Sequence, residues 1–528
     1  MQPTNSAPSK ANTQIARAAG TVMAAFIISN VIGLLAKTMT ARVFGTGTES
    51  SAFFAANRFS EILFSLVAGG ALGSAFIPVF TGLLASEERQ KAWKLAASIA
   101  NLVSLVLVAI SLLTVLFAPQ VVHYILAPGF SPQDTLLTAN LLRVQVISSV
   151  IFGLSGLVMG ILNSHQRFLL PALAPAMYQV GWIMGILFLS PRMGIYGLAW
   201  GVVLGSLLHL LVQVPLLLRL PQRAYRLSLG LDMPEVRQVG RLMAPRLLGV
   251  AVVQLNFLIN TLLASYQIEG SITALSLAFP LMIMPEAALA QSIAIAALPT
   301  FAAQVAKNRL DEMRASLSAT VRVLLLLAVP ASIGLILLRR PLVALLYQGD
   351  QFSANSTALV AWALLFYALG LVGHSLVEIL SRAFYALHDT KTPVFVGVGA
   401  MTLNLGLSFV FAWLFGLWGW MPHGGLALAN SVATLIESLL LLILMRKRLQ
   451  GLEEGKLLLA FIKALIAGAG MTAIILLFNR FLNLPGQLVS LGVAVAAGIA
   501  SYGLLLIVLK AEELSRIYGL VRGRFARR

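Results

Sequence analysis

The residues of this chain with the clearest capacity for chemistry are charged side chains inside long apolar segments. A charge at the centre of a bilayer costs at least ~2.5–3.5 kcal/mol on insertion scales, so each one is a candidate for binding or coupling. Arg58 and Glu61 have the i,i+3 spacing of a local ion pair on a helix, and Lys37 lies in the preceding apolar segment. We predict that Lys37 and Arg58 contact an anionic part of a substrate. The alternatives are that Lys37 reaches toward the outer membrane surface and that Arg58 serves only the local pair.

A second group of residues could carry protons or couple an ion. His374, Glu378 and Arg382 recur at i, i+4 and i+8, on one stripe of a helix, and histidine titrates near neutral pH. Glu286 follows a proline, which frees backbone groups, so we predict that it lies at the N-terminus of a half-helix, where a carboxylate is favoured. Glu437 is a lone carboxylate in a later apolar segment. The alternatives are a helix cap at Glu286 and a structural charge ladder on the histidine-containing helix.

Asparagines add polar groups to two apolar segments. Asn30 and Asn260 are candidates for contact with substrate. The alternative is that they hold helices together, because side-chain amides hydrogen-bond across helices in a membrane.

Composition determines the class of protein that must position these residues. Of the 528 residues, 59% are hydrophobic and 11% charged, and the mean hydropathy is +0.90. About 14 apolar segments each have the ~20 residues that a helix needs to cross a bilayer. In lipid a helix satisfies its own backbone polar groups. The sequence therefore predicts an all-α polytopic membrane protein.

Several kinds of chemistry are excluded or disfavoured. There is no cysteine, which excludes disulfides and thiol catalysis, and the six histidines are scattered rather than clustered as metal ligands. No glycine-rich nucleotide-binding loop occurs. We expect a transporter, not an enzyme, and we expect it to use no cofactor and no metal. The energy for transport would come from a coupling ion, the membrane potential or the flow of substrate.

The distribution of basic residues predicts the orientation in the membrane. The net charge is +18, with 37 basic and 19 acidic residues. Most basic residues lie in alternate loops and at both termini, whereas the opposite loops hold only Arg192, Arg339, Arg340 and Arg480. By the positive-inside rule both termini are predicted to be cytoplasmic. The positive charge then faces anionic membrane lipids and is no sign of nucleic-acid binding.

Weak internal similarity indicates a repeat. Ala75–Phe80 resembles Ala296–Phe301, and Gly197-Leu198-Ala199 matches Gly425-Leu426-Ala427, at similar offsets. An even number of helices per repeat gives two parallel lobes, the arrangement of a transporter with a central cavity. The predicted organisation is a cytoplasmic tail, an N-terminal six-helix lobe, a cytoplasmic linker, a C-terminal six-helix lobe, two additional transmembrane helices and a basic cytoplasmic tail. These segments are 1–14, 15–218, 219–240, 241–447, 448–509 and 510–528.

Short motifs along most of the chain resemble one known family. They are Ala41-Arg42-Val43-Phe44-Gly45, Ala75-Phe76-Ile77-Pro78, Ala127-Pro128-Gly129-Phe130, Tyr347-Gln348-Gly349 and Asp389-Thr390-Lys391-Thr392-Pro393. Together they are similar to the MurJ/MviN lipid II flippases of the multidrug/oligosaccharidyl-lipid/polysaccharide exporter superfamily. The resemblance implies a flippase in the bacterial inner membrane that moves lipid-linked peptidoglycan precursor to the outer leaflet by alternating access. It implies a role in cell-wall biogenesis and cell shape, with other cell-wall synthesis proteins as partners.

The chain departs from the family in the cationic residues that the resemblance implies for its diphosphate site. On a gapless comparison the positions of the family's arginines hold Asn30, Ala36, Phe64, Ser65 and Pro280. Lys37 lies beside one of these positions and would meet a diphosphate as a point charge.

Three functions therefore stay open on the sequence. The first is a lipid II flippase. The second is an exporter of another amphiphile or lipid-linked glycan on the same scaffold, which the missing arginines favour. The third is a transport-inactive scaffold in envelope synthesis.

Overall fold

The computed structural model describes residues 10–67, 71–221, 224–225, 227–481, 486–511 and 513. Over these ranges the chain is helical and contains no β-strand; Gly349 and Phe352 pair only as an isolated bridge. The prediction of an all-α protein is confirmed. The predicted tails, 1–14 and 510–528, and the linker, 219–240, lie wholly or partly outside the described residues.

The chain divides into two compact units, Met1–Glu269 and Gly270–Arg528. The helices of the first unit are α1 (Lys10–Phe44), α2 (Thr48–Val67), α3 (Ala71–Ala85), α4 (Arg89–Leu116), α5 (Ala118–Val121), α6 (Pro132–Ser164), α7 (Leu169–Met184), α8 (Ser190–Met193), α9 (Ile195–Leu211), α10 (Val214–Leu218) and α11 (Pro234–Ser265). The helices of the second are α12 (Ser271–Glu286), α13 (Ser292–Ala306), α14 (Leu310–Tyr347), α15 (Ala354–Leu369), α16 (Leu371–Ala386), α17 (Lys391–Leu417), α18 (His423–Arg448), α19 (Glu454–Phe481) and α20 (Gln487–Val508).

The long apolar helices account for most of the predicted spans. The described residues contain 11 helices long and apolar enough to cross a membrane, or up to 13 if each of two bent pairs is one span. The bent pairs are the two parts of α11, which bend by 41°, and α15 with α16, which bend by 44°. The remaining predicted span, at 52–84, is two helices, α2 and α3. The count of 14 thus stays a prediction.

The predicted lobe boundaries and the compact units are different divisions of the chain. The sequence placed α11 at the start of the C-terminal lobe, beginning at 241. In the structure α11 packs on α2 and α3 and belongs to the first unit, which ends at Glu269. The lobe boundaries remain predictions about repeat and topology.

Glycines let two helices of the first unit pack backbone to backbone. A Cβ added at Gly181 of α7 would collide with the backbone of Gly205 on α9. The same happens one turn along, between Gly185 and Gly201. In lipid, helices associate mainly through close van der Waals packing, so small residues at such contacts decide the geometry.

The second unit includes α19 and α20, which pack on α14. An apolar cluster joins the three helices through Val329, Ala467, Met471 and Tyr502. The Tyr502 hydroxyl donates to the carbonyl of Leu326, at 2.9 Å. The two helices outside the predicted repeat are therefore an integral part of this unit.

Candidate functional site

The first unit carries an ion pair on α2. Arg58 Nη1 is 2.7 Å from Glu61 Oε2, so the predicted local pair forms. Asn57 Nδ2 donates to the other oxygen, Glu61 Oε1, at 2.8 Å. The Arg58 guanidinium also lies over the ring of Phe257 on α11, 5.3 Å from its centroid, within the range of a cation–π contact.

Lys37 on α1 belongs to the same electrostatic cluster. It is half-buried and lies within electrostatic range of both Arg58 and Glu61. At 1.5 Å per helical residue, Lys37 is about 12 Å and Arg58 about 16 Å along its helix from the turn that joins α1 to α2. Both cations thus lie well away from the ends of α1 and α2 that meet at this turn, and a single carboxylate faces two positive charges. The excess positive charge suits an anionic ligand.

The two predicted asparagines occupy different environments. Asn30 is exposed on α1. Asn260 on α11 is buried, and its Nδ2 donates to Asn256 Oδ1 over a long 3.4 Å. This contact along one helix is compatible with a structural role, and substrate contact at Asn260 stays a prediction.

The second unit contains the predicted charged stripe on α16. Arg382 Nη2 is 2.6 Å from Glu378 Oε1, an i,i+4 ion pair. One turn earlier, His374 Nε2 lies 3.1 Å from Asn430 Oδ1 and 3.4 Å from Thr434 Oγ1, both on α18. The three residues share one stripe, as the spacing predicted.

The prediction that Glu286 lies at the start of a half-helix is wrong. Glu286 is the last residue of α12, has helical dihedral angles (φ −58°, ψ −52°) and is followed by a π-helical turn, Ala287–Gln291. The π turn lets the backbone continue into α13 although Pro285 lacks an N–H. Gln291, five residues on, donates to Glu286 Oε2 at 3.3 Å. The carboxylate is thus bound by the side chain of its own π turn.

Two further carboxylates, Glu286 and Glu437, lie on helices that contact α16. Glu286 is buried and lies within electrostatic range of Glu378. Glu437 is buried on α18, on the same helical stripe as Asn430 and Thr434, which contact His374. On α17, a Cβ at Gly397 would lie 3.3 Å from Glu437 Oε1, so the backbone of α17 covers this carboxylate.

A polar turn fixes the start of α17. Asp389 accepts from the backbone N–H of Thr392 at 3.0 Å and from its hydroxyl at 2.8 Å. These hydrogen bonds hold the pKa of the Asp389 carboxyl below its ordinary value. The motif Asp389–Pro393 therefore has a structural task, which is to end one helix and begin the next.

The clusters can bind and relay charge, but they do not form a metal site. Across the described ranges no group of three or more His, Asp or Glu side chains is arranged to hold a metal ion. The first unit offers excess positive charge to an anion. The second offers three carboxylates, one arginine and one histidine, a set that can exchange protons or attract a cation.

Comparison with known proteins decides the family. The family model described as "Lipid II flippase MurJ" matches residues 40–496. The chain belongs to the MurJ family. The lipid II flippase MurJ of Burkholderia cenocepacia is 32% identical over 438 residues, which cover 82% of this chain and 84% of the relative.

Solved structures show the same fold. A lipid II flippase MurJ in an inward closed conformation matches with a TM-score of 0.79 at 23% identity, covering 93% of this chain and 99% of that one. An inward-facing multidrug resistance transporter of the MATE family and the MOP superfamily matches with a TM-score of 0.68 at 16% identity, covering 80% and 96%. The fold is thus shared with a multidrug resistance transporter of the MATE family.

At three of the five positions where the MurJ resemblance implies arginines, the structure places apolar side chains. Ala36 is fully buried. The ring of Phe64 lies 4.5 Å from that of Phe152, and Pro280 is half-buried within α12. Lys37 is the neighbour of Ala36, and Arg58 lies six residues before Phe64, so this MurJ-family chain has cations on the same two helices at other positions.

Several partners of the site were missed by reasoning from the sequence. Asn57 is four residues before Glu61, so helical spacing could have found it. Phe257 and Asn430 meet their partners across helices, and no sequence spacing reports such a contact. Gln291 was hidden because the π turn changes the helical period.

Proposed function

We propose that this protein is a lipid II flippase that moves lipid-linked peptidoglycan precursor from the inner to the outer leaflet by alternating access. The observation that carries this proposal is the match of the MurJ family model to residues 40–496. The similarity to the lipid II flippase MurJ of Burkholderia cenocepacia, which covers 82% of this chain, also supports it.

The cluster of Lys37, Arg58 and Glu61 is the proposed contact for the diphosphate of the substrate. Arginine can bind two phosphate oxygens at once, whereas lysine binds as a point charge. The Arg58–Glu61 pair and the Phe257 ring hold the guanidinium in place before substrate arrives. Diphosphate binding would then compete with Glu61 for Arg58.

The carboxylate cluster of the second unit is the proposed site of energy coupling. Glu286 and Glu378 lie within electrostatic range of each other, so their ionised forms repel unless a cation or a proton intervenes. Glu437 is buried on α18, which packs on α16. Uptake and release of a proton or a monovalent cation would therefore change the packing of α16 against α18. Which ion is carried is a question for measurement of transport in defined gradients.

Location and partners follow from the same proposal. The protein lies in the bacterial inner membrane with both termini cytoplasmic, as the basic loops indicate. Its partners are the lipid-linked precursor, membrane lipids and other cell-wall synthesis proteins.

The test is replacement of the native gene by an inducible copy. On depletion we expect lipid-linked precursor to accumulate in the inner leaflet, measured by its inaccessibility to an externally added modifying enzyme. Re-expression should restore the outer-leaflet pool. An unchanged leaflet distribution during depletion, with the protein verified as absent, would contradict the flippase.

A second candidate is export of another amphiphile, favoured by Ala36 and Phe64 in place of the family arginines. Purified protein in vesicles distinguishes the two. Translocation of fluorescent lipid II supports the first function. Translocation of lipophilic cations without any of lipid II supports the second.

A further inference from the structure

Buried polar atoms without protein partners occur on two packed helices of the first unit, α2 and α6. The side chains concerned are at most 3% exposed. The atoms, none with a hydrogen-bond partner among the described residues, are Asn57 Oδ1, Ser60 Oγ, Gln145 Nε2, Gln145 Oε1 and Ser149 Oγ. A buried polar atom left without a partner lowers the stability of the fold, so these atoms need an explanation.

The register of α2 against α6 brings these four residues together. The ring of Phe64 on α2 lies 4.5 Å from that of Phe152 on α6, and further along, a Cβ at Gly160 of α6 would lie 3.3 Å from Phe76 of α3. The segment formed by α2 and α3 therefore packs parallel to α6. Asn57 lies seven residues before Phe64, and Gln145 lies seven residues before Phe152. Each residue lies two helical turns before the ring on its own helix and on the same side of that helix. Asn57 and Gln145 therefore face each other, as the two rings do.

One turn further along, the serines occupy matching positions. Ser60 is four residues before Phe64, and Ser149 is three residues before Phe152. By the same register they lie at one level between α2 and α6, next to the Asn57 and Gln145 pair.

We propose that α2 and α6 hold a bound-water site between them, formed by Asn57, Ser60, Gln145 and Ser149. Its polar atoms include the Gln145 amide N–H donors as well as carbonyl and hydroxyl acceptors, and water satisfies both kinds. A metal cation satisfies acceptors only and would be repelled by Lys37 and Arg58 nearby. The ligand is therefore water.

The water site is connected to the membrane-embedded charges through one residue. Asn57 uses Nδ2 to bind Glu61 and leaves Oδ1 toward the water. Ordered water at Asn57 fixes the orientation of this amide, and thereby the hydrogen bond that holds Glu61 against Arg58. This inference concerns hydration of the first unit and does not depend on which substrate the protein carries.

Radiolytic footprinting of the full chain in nanodiscs tests the proposal, because hydroxyl radicals generated from bound water oxidise side chains beside it. Phe53 lies one turn before Asn57, and Phe152 one turn after Ser149; both are buried. The reference is Phe76, also fully buried, in an apolar cluster. We expect Phe53 and Phe152 to be oxidised several-fold faster than Phe76. Equal rates for the three rings overturn the proposal without any variant.

A matched pair of variants ties the labelling to the site. Gln145→Leu should reduce oxidation of Phe53 and Phe152 several-fold and leave Phe76 unchanged. Ser148→Ala is the control: Ser148 is as buried, but its hydroxyl already donates to the carbonyl of Gln145, at 2.6 Å. Labelling that persists in Gln145→Leu contradicts the site. A melting temperature that rises with sodium over choline, and loses that rise in Gln145→Leu, would show a cation instead of water.

Discussion

Several charged residues inside apolar helices of this protein are stabilised by a specific partner. Arg58 has Glu61, and Arg382 has Glu378. Arg322 on α14 is 8% exposed and lies 3.0 Å from Glu453. Removing one partner of such a pair leaves the other charge uncompensated, which costs more than the pair contributes. Lys37 is different, because the carboxylate near it already binds Arg58.

The first prediction concerns Lys37. In the variant Lys37→Gln we expect the rate of lipid II translocation in vesicles to fall about tenfold or more, since hydrogen bonds to charged groups contribute ~1.5–3 kcal/mol. Lys37→Arg keeps the charge and should retain most of the rate. The control is Arg192→Gln, at an exposed residue of α8. A normal rate in Lys37→Gln would remove Lys37 from the substrate site.

The second prediction concerns pH and Glu453, which precedes α19. Hydrogen bonds from Lys456 and from Arg322 lower the pKa of Glu453 from 4.5 to about 2. A depressed folded-state pKa stabilises the protein above the unfolded value and loses this stabilisation as pH falls from about 4.5 toward 2. We therefore expect the melting temperature of the wild type in detergent to fall faster between pH 6 and pH 3 than that of Glu453→Gln. If the melting temperatures of the two proteins fall in parallel with pH, protonation of the Glu453 carboxyl is not linked to unfolding.

At the scale of elements, local deviations from α-helix shape this protein. The π turn at Ala287–Gln291 lets α12 pass into α13 without a break and places Gln291 beside Glu286. In the first unit, glycines on α7 and α9 allow backbone contact where any side chain would separate the helices. Both features let one helix pack closely against its neighbours. Close packing matters in a membrane because lipid supplies no hydrophobic driving force between helices.

The third prediction tests the glycine contact. Gly181→Val should destabilise the protein by at least the ~1–3 kcal/mol typical of overpacking, because the new side chain collides with the backbone of Gly205. The measurement is the melting temperature by size-exclusion chromatography of heated detergent extracts. Gly406→Val on α17 is the control, since a Cβ there meets nothing within 4 Å. Equal melting temperatures for the two variants would contradict the close approach of α7 and α9.

At the scale of the whole molecule, two compact units of similar size make up the chain, and each has its own polar cluster. The first holds the cations near Glu61, and the second holds the carboxylates around α16. A flippase needs one site for an anionic headgroup and one source of energy. The distribution of charge between the units provides a candidate for each.

The fourth prediction tests the membrane topology. Because the sequence contains no cysteine, any cysteine that is labelled is the one introduced. Single cysteines at Gln90 and Lys447 should be protected from a membrane-impermeant maleimide added to spheroplasts, because these exposed positions lie in predicted cytoplasmic loops. Cysteines at Arg192 and Tyr266, in predicted outer loops, should react. After lysis all four should react. The reverse pattern in intact spheroplasts would invert the orientation.

The sequence alone determined the class, the helical fold and the positions of the charged residues, because these depend on local composition and on spacing along one helix. Its motifs also indicated the family, through their resemblance to known members. The pairs Arg58–Glu61 and Glu378–Arg382 could be predicted from their spacing along one helix. Only the tertiary structure showed that Asn430 meets His374, that Phe257 covers Arg58 and that Glu286 continues a helix through a π turn. These features depend on how helices face one another. That is decided by packing between distant segments, which no periodicity of a single segment records.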